Sequence, residues 1–385
     1  MWLWISLLLA LAAFAVSAYY RWEQMEDEKW GPHVPNQLIV KFRDGVSAEQ
    51  VDIIHRKAKC RVLDTDDDLG ICWITSKRKM RKMLAHYQKL QDVEFAEPNY
   101  LVQAFYTPND PFFASYQYGL QRIQAPSAWD VQQGKETVKI AIVDTGVQLD
   151  HPDLRTKLVP GYNFVENNAY PYDRNGHGTH VAGIAAAATN NGAGIAGVAP
   201  RVMIMPVKVL DDSGSGEMLQ VARGITYAAN QGAKVINLSL GSPYSTSTLQ
   251  SAVQYAWERG AVIVAAAGND GTSTPNYPAD YPNVIAVAST NERDGKSGFA
   301  NFGRWVEVAA PGEEILSTYT GGYYAYLSGT SMAAPHVAGV AALMASQGRP
   351  NVHIRLGILS TADPIAGTGT YWQYGRVNAA RAVRY

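Results

Sequence analysis

The run Ser328-Gly329-Thr330-Ser331-Met332-Ala333-Ala334-Pro335-His336 decides the fold and the chemistry of this chain, because its small residues lead into an apolar helical pattern over residues 337–345. A serine in a tight turn at the start of a helix exposes its hydroxyl, and its backbone N–H has no partner inside the helix. That N–H can stabilise a developing oxyanion. Ser331 is therefore a candidate nucleophile.

Two upstream segments supply the partners that a serine nucleophile needs. Ile140-Ala141-Ile142-Val143-Asp144-Thr145-Gly146 ends an apolar strand on a carboxylate, and Asn175-Gly176-His177-Gly178-Thr179-His180 carries an imidazole. A serine hydroxyl reacts poorly at neutral pH, so it needs a base within hydrogen-bond reach and a group that orients the base. We assign Ser331 as nucleophile, His177 as general base and acid, and Asp144 as the orienting carboxylate.

Short β-branched runs alternate with helix-compatible stretches beyond residue 106, which predicts an α/β domain with a mainly parallel sheet and helices on both faces. The predicted strands are 138–143, 202–209, 234–238, 261–267 and 284–288, and the predicted helices are 179–188, 218–231, 247–259 and 331–346. Ligands bind such sheets outside the carboxyl ends of the strands. Asp144, Ser239 and Asn269 all follow strand ends, and we expect Asn269 to form an oxyanion hole with the Ser331 backbone N–H.

The preceding part of the chain predicts a small α+β domain of ferredoxin-like topology. Its strands are expected at 37–42, 61–63, 70–75 and 93–96, its helices at 48–58 and 77–90, and an acidic turn at 64–68. That order of elements is the split βαβ arrangement. Cys60 and Cys72, the two cysteines of the chain, both lie here, and their positions are compatible with a disulfide or with two half-buried thiols.

The first 18 residues carry no charged side chain and end in Val16-Ser17-Ala18, which predicts a secretory signal peptide over 1–18. No Lys or Arg precedes the apolar stretch and Arg21 follows it, so an uncleaved membrane anchor is the alternative. Both predict export, as a secreted extracellular protein or a membrane-anchored precursor. The expected division is 19–36 linker, 37–105 small domain and 106–385 α/β domain.

Bulk composition shows no bias toward binding nucleic acid or anionic lipid. The chain has 385 residues, 47% of them hydrophobic and 17% charged, with a formal net charge of −1. Such a chain can bury one large and one small core. Because the charge is balanced, we expect no binding to nucleic acid, and we expect a monomer.

Taken together, the motifs closely resemble those of the subtilisin-like serine proteases, or subtilases, whose triad has the same Asp, His, Ser order along the chain. From Tyr106 to Tyr385 the chain is similar to the thermitase branch, on the opening Tyr-Thr-Pro-Asn-Asp-Pro, on Asn190-Asn191 and on Gly367-Thr368-Gly369-Thr370-Tyr371-Trp372. The resemblance implies a serine endopeptidase acting on proteins and peptides. Residues 37–105 resemble the inhibitory propeptide of that family.

The resemblance also implies where substrate binds. In subtilases the substrate backbone adds as a strand between two segments, here Gly214, Ser215, Gly216 and Ser239, Leu240, Gly241. The primary side-chain pocket would lie between the second segment and Ala266, Ala267, Gly268. Small residues there leave room for a large apolar side chain, so we expect broad specificity favouring aromatic or large aliphatic residues before the cut. The alternative is that these glycines only form turns.

Two further features follow from the resemblance. A structural calcium ion would be held by Asp110, Asp153 and the Asn191 side chain, with carbonyls from Ala188, Ala193 and Ile195. Residues 97–105 would lie in the substrate groove and the chain would cut itself between Phe105 and Tyr106, after which the propeptide would remain as an intramolecular inhibitor.

Other interpretations compete with this one. His180 and His151 are alternative bases, but the resemblance selects His177 and makes His180 a structural neighbour; His336 is expected to pack in the core. An esterase of the α/β-hydrolase class needs an acid and then a histidine after its serine. After Ser331 the order is reversed, because both His336 and His353 come before Asp363. An inactive binding protein of the same fold would lack a member of the triad, and all three are present.

Overall fold

The structure is a computed structural model that describes residues 33–102 and 107–385. The predicted signal segment 1–18, most of the predicted linker 19–36 and the expected cut between Phe105 and Tyr106 lie outside the described residues. The chain divides into two compact units, with the boundary between residues 104 and 105. Among the described residues, no helix has both the length and the apolar character needed to cross a membrane.

The N-terminal unit has the predicted strand-helix-strand-strand-helix-strand order. Its elements are β1 His33–Phe42, α1 Ala48–Ala58, β2 Arg61–Asp66, β3 Ile71–Thr75, α2 Met80–Tyr87 and β4 Val93–Tyr100. The strands form an antiparallel sheet in the order β2-β3-β1-β4. One core gathers apolar side chains from this sheet and both helices, including Leu38, Ile74 and Leu84. Cys60 and Cys72 are half-buried free thiols.

The acidic turn expected at 64–68 is wrong in its position. Strand β2 continues to Asp66, which pairs with Ile71 of β3, and the turn follows at 67–70. Strand β2 is the edge of the sheet and its acidic side chains are exposed. An edge strand tolerates charge because one side faces water, so the aspartates did not end the strand as the sequence suggested.

The C-terminal unit is built on one parallel sheet. Three short helices come first, α3 Phe113–Tyr116, α4 Tyr118–Arg122 and α5 Ala125–Trp129. The remaining elements are β5 Lys139–Asp144, β6 Tyr162–Asn163, α6 His177–Ala186, β7 Met203–Lys208, α7 Met218–Asn230, β8 Val235–Leu238, α8 Ser247–Glu258, β9 Val262–Ala266, β10 Val284–Thr290, β11 Val308–Pro311, β12 Ile315–Tyr319, β13 Tyr323–Leu327, α9 Thr330–Ala345, α10 Asn351–Ser360, β14 Gly375–Arg376 and α11 Ala379–Ala382. The five predicted strands and four predicted helices all form, within three residues of their expected ends.

The eight-stranded sheet has the order β14-β11-β10-β9-β8-β5-β7-β6, and its neighbouring strands pair in parallel. One face packs against α6 and α9, the other against α7 and α8. Helix α9 is buried along almost its whole length, which explains why it is apolar on every side. Strands β5, β8 and β9 are adjacent, so their carboxyl ends meet at one edge of the sheet.

Candidate active site

Asp144 and His177 form a direct pair at that edge. Strand β5 ends at the fully buried Asp144, and α6 begins at His177. Nδ1 of His177 lies 2.7 Å from Oδ1 of Asp144. The same oxygen accepts the Thr145 backbone N–H at 2.7 Å, whereas Oδ2 is buried without a partner among the described residues.

Gly178 allows this close approach. A Cβ at that position would lie 2.1 Å from the Gly146 carbonyl oxygen and 3.1 Å from the Asp144 side chain. Any larger residue would push the start of α6 away from the end of β5. The glycine after His177 is therefore what lets an imidazole on a helix touch a carboxylate on a strand.

The electrostatics of the pair favour a charged imidazole. Burial by itself would lower the pKa of His177, but the charge and hydrogen bond of Asp144, together with the charge of Asp173, outweigh that effect. The net result is that the pKa of His177 is raised above its ordinary value. A base whose cation is stabilised in this way can take a proton from a nearby hydroxyl.

Ser331 lies in the first turn of α9 and exchanges hydrogen bonds with Ser239, the residue after β8. The Ser331 hydroxyl donates to the Ser239 carbonyl at 3.1 Å, and the Ser239 hydroxyl donates to the Ser331 carbonyl at 2.8 Å. That carbonyl is available because Pro335, four residues on, has no N–H to donate to it. In this conformation, no hydrogen bond joins Ser331 to His177 within the part of the chain that the structure describes.

Two hydrogen bonds from Thr330 occupy the amide oxygen of Asn269, so the amide nitrogen is the atom left to donate to a ligand. Oδ1 accepts the Thr330 backbone N–H at 2.8 Å and the Thr330 hydroxyl at 2.9 Å. A backbone N–H can only donate, so the atom facing it must be the amide oxygen. Nδ2 would lie 3.5 Å from a Cβ at Gly329, close to the serine turn. The amide therefore presents two N–H donors beside α9.

A cavity of about 590 Å³ runs beside His177. Both segments expected to pair with substrate line it, Gly214 to Gly216 and Ser239 to Gly241, and its wall includes the apolar side chains of Leu210, Met218, Val221 and Leu249. Ala266, Ala267 and Gly268 are not among its lining residues. Ala266 and Ala267 are buried in the core, and their assignment to a substrate pocket stays a prediction.

The residues expected to bind calcium converge in a second place. Asp153 accepts the Asn191 amide at 2.9 Å and the Ile195 backbone N–H at 2.9 Å, while its backbone carbonyl accepts the Ala188 N–H at 2.8 Å. Asp110 accepts the Asn191 backbone N–H at 3.3 Å. The remaining expected ligand, Ala193, donates its N–H to the Asn191 side chain.

Both carboxylates of this cluster are buried, Asp110 at 4% and Asp153 at 0% exposure. Neither forms an ion pair with a basic side chain among the described residues. Burial and the charge of Asp153 raise the pKa of Asp110 above its usual range, despite N–H donors that act the other way. In the described ranges no three His, Cys, Asp or Glu side chains cluster, so carbonyl and amide oxygens would have to complete a metal site.

The other histidines have structural partners. His180 is fully buried and its Nε2 contacts the Ala325 carbonyl at 2.9 Å, and burial lowers its pKa to about 4. His336 is buried in α9 against the Met332 carbonyl, and burial likewise lowers its pKa to about 4. His151 is fully buried and accepts the Asp153 backbone N–H at 3.1 Å. None of them contacts Asp144.

Sequence reasoning missed three residues around the contact between Asp144 and His177: Thr145, Asp173 and Lys208. All three are buried, and each hydrogen-bonds to the Asp144 turn or to the start of α6. The sequence carried no signal for Asp173, because the N-cap position of the helix is Gly176 and capping preferences apply there. No signal marks Lys208 either, because a lysine at the end of a strand is common and indicates no function.

Comparison with known proteins finds matches to both units of the chain. Residues 135–375 match the sequence model of the Subtilase family, and residues 23–99 match that of the fervidolysin N-terminal prodomain. The chain is 50% identical over 356 residues to a thermophilic serine proteinase of Bacillus sp. strain AK1, covering 92% of this chain and 89% of that protein.

Thermitase of Thermoactinomyces vulgaris is 63% identical over 280 residues, which covers 73% of this chain and 100% of that protein. Among solved structures, a protease from Pseudoalteromonas arctica superimposes with a TM-score of 0.68 at 34% identity, covering 72% of this chain and 99% of its own.

Proposed function

Because the chain belongs to the subtilase family and is a serine endopeptidase with an N-terminal prodomain, we propose that Asp144, His177 and Ser331 are its catalytic triad. The observation that carries this assignment is the 2.7 Å contact between the buried Asp144 and His177. Ser331 is tied to Ser239, which lines the same cavity as His177. Ser239 thus connects Ser331 to the cavity that His177 lines, which supports the proposal.

In the proposed reaction, Ser331 Oγ attacks the carbonyl carbon of the scissile peptide while Nε2 of His177 takes the hydroxyl proton. The hydroxyl must first turn from the Ser239 carbonyl towards His177. A C–O bond forms, and the carbonyl π electrons move to the oxygen. When the C–N bond breaks, the leaving amine takes the proton from His177, and a water molecule then hydrolyses the acyl-enzyme by the same route.

Asn269 Nδ2 and the Ser331 backbone N–H are the proposed oxyanion hole. Both are N–H donors beside the serine turn, and the Ser331 N–H lies in the first helical turn, where no intrahelical acceptor exists. The positive end of the α9 dipole adds to their effect. Donors held in place before the reaction stabilise the oxyanion without reorganising during it.

The proposed substrates are proteins and peptides that bind as an extended strand between Gly214 to Gly216 and Ser239 to Gly241. Main-chain pairing gives affinity that does not depend on sequence. The apolar part of the cavity wall favours large apolar side chains. These two contributions predict broad specificity with a preference for aromatic and large aliphatic residues before the cut.

Subtilases generally bind structural calcium, and the donors of this chain fit such an ion. Calcium takes oxygen ligands from carboxylates, amides and carbonyls. Asp110 and Asp153 are buried without a basic partner among the described residues, so a bound cation would balance their charge. We propose that these carboxylates and Asn191 hold calcium, with the carbonyls of Ala188, Ala193 and Ile195.

Residues 37–105 are proposed to act as an intramolecular inhibitor that remains after self-cleavage between Phe105 and Tyr106, and residues 1–18 as a signal for export. The match of residues 23–99 to a prodomain supports the first proposal. The charge-free apolar start of the chain supports the second.

A serine-reactive fluorophosphonate tests the triad directly. The purified chain should be labelled at Ser331, and the His177→Ala variant should not, because the hydroxyl would lose its base. A His86→Ala variant, changed outside the protease unit, should be labelled like the wild type. Equal labelling of the His177→Ala variant would contradict the assignment.

A further inference from the structure

We propose that Asp173 is a positioning residue that holds the Asp144–His177 pair together and supplies a second, uncompensated negative charge to the imidazolium formed during catalysis. This inference rests on the proposed triad. It assigns a role to a buried carboxylate that the reaction described above does not use.

Asp173 is fully buried and both its oxygens accept hydrogen bonds. Oδ1 accepts from the backbone N–H groups of Asn175 at 2.9 Å and Gly176 at 3.0 Å, and from the Thr145 hydroxyl at 2.9 Å. Oδ2 accepts from the backbone N–H and the hydroxyl of Thr179 at 2.9 and 2.6 Å. Three of the donors are backbone N–H groups, which cannot accept. Both oxygens of the Asp173 side chain therefore act as acceptors.

These contacts join the two halves of the catalytic pair. The donors at Gly176 and Thr179 belong to the start of α6, the helix that carries His177. Thr145 follows Asp144 and donates its backbone N–H to the same Asp144 oxygen that contacts His177. The Thr145 hydroxyl also accepts the Gly178 N–H at 2.9 Å. Asp173 thus connects the end of β5 to the first turn of α6.

The charge of Asp173 is not balanced by a basic neighbour. Among the described residues it forms no ion pair. The buried Lys208 lies on the other side of Thr145 and donates to its carbonyl at 2.8 Å, but its charge is balanced by Asp212 at 2.9 Å. The negative charge of Asp173 therefore acts on His177 without a cation to offset it.

Other charged groups around His177 must be counted as well. Those on the surrounding elements are Asp144 on β5, Arg174 in the preceding loop, His180 on α6, Lys208 on β7, and Asp211 and Asp212 in the loop after it. Arg174 is about half exposed and pairs with Glu166 and Asp212, so water and these acids weaken its effect. Asp144 and Asp173 are the charges that raise the pKa of His177.

The test is to measure the pKa of His177 by NMR in the full-length chain carrying Ser331→Ala, which cannot digest itself. Asp173→Asn should lower that pKa, because one stabilising negative charge is lost. In the active chain the acid limb of kcat/KM, which reports the base of the free enzyme, should move to lower pH. The same variant should lower kcat by up to about 100-fold, since small displacements of catalytic groups have effects of this size.

Two variants separate charge from position. Thr145→Val breaks the bridge but keeps the carboxylate, so it should lower kcat about tenfold or more and leave the acid limb in place. Lys208→Met removes another bond to Thr145 and no negative charge, so it should not lower the pKa of His177. If Asp173→Asn does not fold, the Thr145→Val result still decides whether the bridge positions the pair.

The inference is overturned if Asp173→Asn reduces only the thermal midpoint, if Lys208→Met lowers the His177 pKa equally, or if Thr145→Val keeps the wild-type kcat. A wild-type chain that neither hydrolyses peptides nor reacts with the phosphonate would instead refute the proposed function. The titration of His177 in the Ser331→Ala chain would then still report on Asp173.

Discussion

Replacing Asn269 by Ala tests the oxyanion hole and has a magnitude that the structure sets. The variant removes the amide nitrogen proposed to bind the oxyanion, and also the amide oxygen that accepts two bonds from Thr330. A hydrogen bond to a charged group contributes about 1.5–3 kcal/mol. At about 1.4 kcal/mol for each tenfold change in rate, kcat should fall roughly 10- to 150-fold.

The anchor of that amide has a smaller expected effect. Thr330→Val removes the hydroxyl bond to Asn269 at 2.9 Å, and with it the acceptor of the Gly268 N–H at 3.1 Å, but keeps the backbone N–H bond to Asn269 at 2.8 Å. One neutral hydrogen bond is worth about 1 kcal/mol, so kcat should fall at most about fivefold. Comparing the fall in kcat of Asn269→Ala with that of Thr330→Val distinguishes loss of the amide donor from loss of a hydrogen bond that orients it.

Steady-state hydrolysis of a chromogenic peptide with Phe before the cut measures both variants, with the thermal midpoint recorded for each. Asn269→Ala should lower kcat and kcat/KM together, because the donor acts on the transition state and not on the bound substrate. An unchanged kcat with a raised KM would refute the reasoning, since Asn269 would then bind substrate and transition state equally.

Four further predictions concern processing, calcium, specificity and packing. The Ser331→Ala chain should stay a full-length precursor on a denaturing gel, and normal processing of the purified variant would contradict self-cleavage. A strong chelator should lower the thermal midpoint of the wild type, because calcium at a hundredfold above its Kd would add about 2.7 kcal/mol to the unfolding free energy. The Asp153→Asn variant should lose this sensitivity to the chelator, and the exposed-loop control Asp211→Asn should keep it. In a matched peptide series, cleavage after Phe should exceed cleavage after Lys or Asp, and equal rates would refute the preference. Gly183→Ala would place a Cβ 2.2 Å from a buried threonine hydroxyl and should destabilise the fold by about 1–3 kcal/mol in chemical denaturation, while Gly298→Ala, with nothing within 4 Å, should not.

The main elements of the fold could be predicted because their signals are local. Apolar runs such as Ile140 to Val143 are buried on both faces of a parallel sheet, and that burial is what makes them continuous. The edge strands β6 and β14, of two residues each, and the hairpin β12–β13 were missed. These strands form because they pair with neighbouring strands, most of them far along the chain, and the composition of a short polar or mixed segment does not indicate such pairing.

The site was predicted to a similar extent. Asp144 and Ser331 could be assigned because strand ends and helix starts bring polar residues to one sheet edge. The reciprocal bonds between Ser239 and Ser331 join residues 92 positions apart. The Ser331 carbonyl is open to the Ser239 hydroxyl because Pro335 removes the N–H donor that α9 would otherwise supply. Only the packed structure shows which group replaces it.

The amino-acid sequence by itself determined the family and the order of the main strands and helices, and it allowed the reacting groups to be proposed, since residue chemistry and periodicity are properties of short segments. The tertiary structure alone decided that Asp173 hydrogen-bonds both to Thr145, the residue after Asp144, and to the first turn of the helix that carries His177. That placement depends on how closely α6 packs against the end of β5. A buried carboxylate acquires its influence from the donors and charges within a few ångströms of it, and folding determines which those are.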